Sequence, residues 1–236
     1  MDDALKQLVS KLEAALSGRL LSVILYGSAA TPGWADRFSG INVLCVVKDV
    51  TPKELADFEP LLKWWQQQGH HAPLLMSEEE VYNSADTFPI EFRDMQHRRK
   101  VLFGIDPIKD LVVSDTDYRA QVEHELRSKV LRLRQQGAAI LSEETRLLAL
   151  CAESVATFCV LGRHVLTLAG VTPSDDRRKV VQQLAATLGA DMSSLESLLD
   201  LRESKSTAAP DAMELFARYL VSLGKLVVFV DSVTQG

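Results

Sequence analysis

Two short stretches decide how this chain is read: Leu25-Tyr26-Gly27-Ser28 and, eleven residues after Ser28, Ser39-Gly40-Ile41-Asn42-Val43-Leu44. The first closes an apolar run, 21–26, with a Gly-Ser pair, and a short apolar run ended by glycine reads as a buried strand. Thr31-Pro32-Gly33 then stops any long helix after Ser28. The second stretch opens into 41–47, rich in Val, Ile, Leu and Cys, which reads as another buried strand. Residues two apart on a strand share a face, so Gly40 and Asn42 belong to one side of it.

Working outward, 2–17 places Leu5, Leu8, Val9, Leu12 and Leu16 at helical spacing, an amphipathic opening helix. The span 52–68 reads as a helix, with Thr51 as cap, Pro52 at its first position and Gly69 at its end. A third strand is expected over 72–76 and a short helix after Ser77-Glu78-Glu79-Glu80, whose acids suit a helix N-terminus. The alternation over 88–95 predicts a fourth strand, with Glu91 and Arg93 on one face and Asp94 on the other. Shorter strands are expected at 101–103 and 111–113. From residue 117 the pattern becomes helical, with helices near 117–139, 143–170, 174–188, 193–203 and 211–233. Starts are marked by Ser142, by Pro173-Ser174 and by Pro210-Asp211, and stops by Gly170 and Gly189. The expected class is α+β: a mixed-sheet domain over 1–115, then an antiparallel helical bundle over 116–236.

Composition is that of a soluble globular protein, with 47% hydrophobic and 25% charged residues. A net charge of -6 argues against a broad nucleic-acid-binding surface while allowing a local basic pocket. Cys45, Cys151 and Cys159 lie in apolar surroundings without metal-knuckle spacing, so buried, reduced thiols and a cytoplasmic location are expected. The apolar stretch 215–233 is interrupted by Arg218, Lys225 and Asp231 and reads as a core helix, not a membrane span.

The strand, the Tyr26-Gly27-Ser28 turn, and the Ser39-Gly40-Ile41-Asn42 segment leading a second apolar strand together resemble the nucleotidyltransferase superfamily, in particular its small bacterial and antibiotic-modifying members. That family's pattern is hydrophobic-Gly-Ser, about ten residues, then Ser-Asp-x-Asp before an apolar strand. The resemblance implies a nucleotidyltransferase-like domain followed by helices that close a cleft, and ATP as the nucleoside triphosphate. It implies that Gly27, Ser28, Ser39 and Asn42 contact the nucleotide, and that Glu91 supplies a third carboxylate as catalytic base or, with Asn42, as Mg²⁺ ligand. The chemistry is consistent with those roles: glycine admits backbone N–H groups close to phosphate, and a serine hydroxyl adds a donor.

The departure is as informative as the match. Where the family has two aspartates this chain has Gly40, with no side-chain oxygen, and Asn42, whose amide oxygen is uncharged. Mg²⁺ is usually held by one or two carboxylates besides phosphate oxygens. Losing two charges within about 4 Å of a cation removes several kcal/mol of attraction at an effective dielectric near 20. Three functions are therefore open: a nucleotide-binding protein with absent or weak transfer, a transferase acting on a small-molecule or protein acceptor through Asn42, Glu91 and Asp36, and a non-catalytic interaction module, with homo-oligomers compatible with each. Other polar groups are weighed the same way. His97-Arg98-Arg99-Lys100 either meets a triphosphate or forms a solvated turn. Arg127 and Arg134 either face phosphate or belong to an ion-paired helix face. Arg163-His164 either contacts an acceptor or is a satisfied polar pair. His70-His71 reads as surface imidazoles and Trp64-Trp65 as core.

Overall fold

The computed structural model describes residues 2–30, 41–203 and 210–233. Two compact units divide the chain, Met1–Asp117 and Tyr118–Gly236. The first contains α1 (Asp2–Leu16), β1 (Leu20–Tyr26), a 3₁₀ turn (Gly27–Ala30), β2 (Asn42–Val47), α2 (Pro52–Gln67), β3 (Leu74–Ser77), α3 (Glu78–Asn83), α4 (Pro89–His97) and β4 (Arg99–Gly104). The strands form one mixed sheet in the order β3-β2-β1-β4. β1 is antiparallel to both β2 and β4, and β2 is parallel to β3. This is the α+β class expected of the sequence.

Why β1 and β2 read as unbroken apolar runs is plain from their burial. Val23, Leu25, Val43, Cys45 and Val47 meet Leu5, Leu8, Leu12 and Leu16 of α1 and Phe58, Leu61 and Trp65 of α2 in one core. Ile24, Leu44 and Val46 point to the other face and are buried too. A strand covered on both sides loses its polar alternation. The leucines of α1 recur at three and four residues, so they form one stripe against the sheet, and each fully buried side chain contributes about 1.5–3 kcal/mol.

α2 starts where a capping box dictates: Thr51 accepts from the Lys53 N–H, and the Glu54 carboxylate accepts from the Thr51 N–H. The same carboxylate accepts from the Thr51 hydroxyl and from Arg19, which also reaches Asp57. Arg19 thereby ties the α1–β1 turn to the first turns of α2. At the far end of the sheet Gly104 has φ +73°, and a side chain there would run into the Leu21 carbonyl, so the close approach of β4 to β1 requires glycine.

The second unit contains α5 (Asp115–Ala138, whose first turn belongs to the first unit), α6 (Glu144–Leu168), α7 (Arg177–Leu188), α8 (Ser193–Arg202) and α9 (Ala212–Ser232). α7, α8 and α9 all pack on α6. Among the described residues α6 is also, by length and composition alone, the one helix long and apolar enough to cross a membrane. Tyr118 of α5 hydrogen-bonds His164 of α6 at 2.9 Å, both buried, and Gly137 lets the Phe216 ring of α9 close on α5. Asp211 caps α9 by accepting from the Glu214 N–H at 2.8 Å. All three cysteines are buried, and burial pushes the Cys45 thiol up to about 12 and those of Cys151 and Cys159 up to about 11.

Three expectations are corrected. The segment 88–95 is not a strand: α4 occupies Pro89–His97, with Pro at its first turn and Phe92 and Met95, three apart, buried beneath it. Residues 111–113 form no regular strand; they run as a loop with Leu111 and Val113 buried. α7 begins at Arg177 rather than near Ser174, because Asp176 caps it, accepting from the N–H groups of Arg178 and Lys179.

Glu54 gives the first unit an acid-sensitive clamp. Its hydrogen bonds from Thr51 and then Arg19 hold the carboxyl at about 2, below its ordinary 4.5. A depressed carboxyl stabilises the native state fully above its ordinary value and loses that contribution as pH falls toward the folded one. Wild type is therefore expected to melt above Glu54→Gln near neutral pH, with the two melting curves converging as pH drops to about 2. Thermal melts followed by circular dichroism across that range measure it, and a constant gap between the curves would count against the clamp.

Candidate functional site

β1 ends at Tyr26, flanked in register by Asn42, the first residue of β2, and by Arg99, the first of β4. Directly opposed residues on neighbouring strands share a face, so the three side chains emerge together. The chain then turns at Gly27, whose φ of +75° is left-handed and favours glycine. Its N–H donates to the Arg98 carbonyl at 3.0 Å. A β-carbon placed on Gly27 would lie 3.3 Å from Asn42 Nδ2, so the asparagine amide lies against the turn. Ala29, buried, anchors the 3₁₀ turn to the core.

α4 brings acids to this end of the sheet. Tyr26 is half-buried, and its phenol is pushed up first by burial and then by the negative charges of Glu91 and Asp94. On a strand these two acids would face apart; on a helix they lie three residues apart and share a side. The helical reading thus brings Asp94 alongside Glu91, and the sequence held a signal for it: Pro89 at the first turn, an acid in that turn, and an apolar i, i+3 pair.

The predicted site residues fall into two groups. Asn42 lies beside the Gly27 turn, within 3.3 Å of where a β-carbon on Gly27 would stand, and the charge of Glu91 acts on Tyr26, the register partner of Asn42. Ser28 lies within the 3₁₀ turn. Ser39, Gly40 and Asp36 lie outside the described residues. As a cradle for Mg²⁺ the described donors do not fit: Asn42 is neutral, and no three His, Cys, Asp or Glu side chains among the described residues converge on one point.

The basic run divides by role. Arg99 is committed, its Nε donating to both Asp106 oxygens at 3.0 Å and its Nη1 to the Gln96 carbonyl at 2.8 Å. Arg98 supplies the carbonyl that holds Gly27, and Lys100 is exposed. Arg93 pairs with Asp115 and also donates to the Val113 carbonyl at 3.0 Å. In the helical unit Arg127 pairs with Glu123 and Asp231, Arg163 lies 3.8 Å from Asp175, and His164 is the buried partner of Tyr118. Trp65 is fully buried, with the half-buried His70 ring 4.1 Å from it.

No protein-family model and no curated protein sequence matches the chain. Among solved structures it is similar to the spectinomycin adenyltransferase AAD(9) from Enterococcus faecialis, crystallised with ATP and spectinomycin. The superposition has a TM-score of 0.57 and covers 97% of this chain and 99% of that one, at 12% identity. The fold is a nucleotidyltransferase fold. At so low an identity the likeness speaks for architecture, a mixed sheet followed by a helical part, and the chemistry must be argued from the residues.

The contact between the Gly27 turn and β2 is measurable. Gly27→Ala meets both the left-handed backbone and the Asn42 amide, and is expected to cost about 1–3 kcal/mol of unfolding free energy. Asn42→Ala removes the amide, so in a double-mutant cycle by urea denaturation the second substitution should recover about 0.5 kcal/mol or more. Strict additivity would separate Asn42 from the turn.

Proposed function

We propose that this protein binds ATP in the cytoplasm through the Gly27 turn and the strand segment carrying Ser39 and Asn42, with absent or weak metal-dependent nucleotidyl transfer. The observation that carries this reading is the placement of Asn42, an uncharged residue, directly opposite Tyr26 and against Gly27 at the mouth of a nucleotidyltransferase-fold sheet. A nucleotide pocket depends on a turn that lets phosphate approach the backbone closely, and the left-handed Gly27 turn supports that role. Metal-assisted transfer depends on carboxylates that share the cation with the phosphates, and neither Gly40 nor Asn42 supplies one.

Calorimetry with ATP, with Mg²⁺ and with a chelator, paired with a labelled-ATP transfer assay, tests the proposal. The expected result is a binding heat that changes little between the two conditions and no transfer to aminoglycosides, spectinomycin or protein acceptors. Robust Mg²⁺-dependent turnover by the wild type would refute it. The absence of any binding heat would instead favour a non-catalytic interaction module.

A second reading, an active transferase, has one observation in its favour: α4 holds Glu91 and Asp94 close to Tyr26. In that case Glu91 acts as general base on the acceptor. Glu91→Gln is then expected to lower turnover about 10²-fold or more while ATP affinity stays within about threefold. Equal rates in variant and wild type would remove Glu91 from the mechanism. Under the primary reading, restoring both acids by Gly40→Asp with Asn42→Asp is expected to bring Mg²⁺ dependence into ATP binding.

A further inference from the structure

Gly69 ends α2 by turning the chain back on itself. Its φ of +81° is left-handed, its N–H donates to the Gln66 carbonyl at 2.9 Å, and the Gln68 N–H donates to the Trp65 carbonyl at 3.1 Å. In a helix end closed by glycine, the residue after the glycine packs back on the helix's last turn. Here that residue is His70, and its half-buried ring lies 4.1 Å from the indole of Trp65, tilted by 36°. An apolar side chain is the ordinary occupant of such a place, and an imidazole adds a proton site to it. Trp65 is fully buried in the core shared by α1, α2 and the sheet, so what covers it is part of the fold. His71-Ala72-Pro73 then leads straight into β3, the edge strand beside β2.

From this contact we infer that His70 is a pH-sensitive latch. As a neutral imidazole it lies on Trp65 and fastens the end of α2; as an imidazolium it swings into water, and the end of α2 and the approach to β3 open. The charges around the ring favour the neutral form. His71 on its own segment and the amino terminus ahead of α1 act on it as positive charges, and Lys11 of α1 stands over the neighbouring Trp64, 4.9 Å from the ring centre. Partial burial first, and then those two positive groups, hold the His70 imidazole below its ordinary 6.5. Two influences act the other way, since helix-end carbonyls and an indole face both attract a cation. The first is blunted because the Trp65 and Gln66 carbonyls already accept N–H groups from the turn. Opening also has a gain of its own: among the described residues the buried Trp65 Nε1 has no acceptor, and water supplies one. The latch is therefore fully fastened above 6.5 and is lost as pH falls through the lower value of the folded protein. The Glu54 clamp yields only further down, between 4.5 and about 2, so the two are separable.

The inference is independent of nucleotide binding, and its test is hydrogen exchange of the full chain across mildly acidic pH, corrected for the intrinsic rate. Residues 66–77 are expected to open more readily as pH falls below 6.5, by up to about tenfold per pH unit until the folded value is passed, because opening takes up one proton. β1 should stay protected throughout. His70→Phe keeps a ring over Trp65 and removes the proton site, so it should abolish the rise while circular dichroism is unchanged. The missing ring resonance in that variant identifies His70 by proton NMR, and the wild-type resonance should titrate below 6.5. His71→Gln removes a positive neighbour and should move that titration upward. A His70 titration at or above 6.5 would overturn the latch, and so would a flat wild-type exchange profile or the same rise in His70→Phe.

Discussion

The antiparallel ladder between β1 and β2 is the constraint from which the site follows. Its register sets Tyr26 opposite Asn42, and the strand can go no further without the left-handed turn at Gly27. The ladder is itself fixed by burial on both faces. A slip of one residue would carry Val43, Cys45 and Val47 out of the core they share with α1 and α2. Placement of the asparagine amide at the turn thus follows from the leucines, valines and tryptophan of the core that fix the register.

That separation of core from site means that the register of the sheet does not depend on the chemistry of residue 42. Carboxylates that hold a cation repel one another in the apo protein, and the core gains nothing from them. A sheet held this way keeps its register and the Gly27 turn whatever polar residue stands at position 42. The acids at this end of the sheet, Glu91 and Asp94, come from a helix, and after burial their negative charge pushes the Tyr26 phenol up.

Much of this was legible in the sequence for identifiable reasons. β1 and β2 announced themselves as unbroken apolar runs, and α2 by Thr51, Pro52 and Glu54, whose capping chemistry is local. The helices after residue 115 were readable because their period persists over many turns. The segment around Glu91 was misread because Ile90, Phe92 and Asp94 alternate with their neighbours over a span too short to separate a period of two from one of 3.6. Pro89 and the acid in the first turn favour the helix, and the burial of Phe92 and Met95, a tertiary fact, decides it. The partition of the basic run was equally hidden. That Arg99 belongs to Asp106 and Arg93 to Asp115 depends on loops returning from residues 105–115.

The sheet order has a consequence for the behaviour of this protein at high concentration. β4 and β3 are the outer strands; β3 is only four residues long, and β4 opens with Arg99 and Lys100. An incoming strand seeking to extend the sheet along β4 would have to bring its own backbone beside two cations, one of them exposed. Short or positively charged borders are how β-proteins discourage end-to-end polymerisation into fibrils, and this chain has one of each kind.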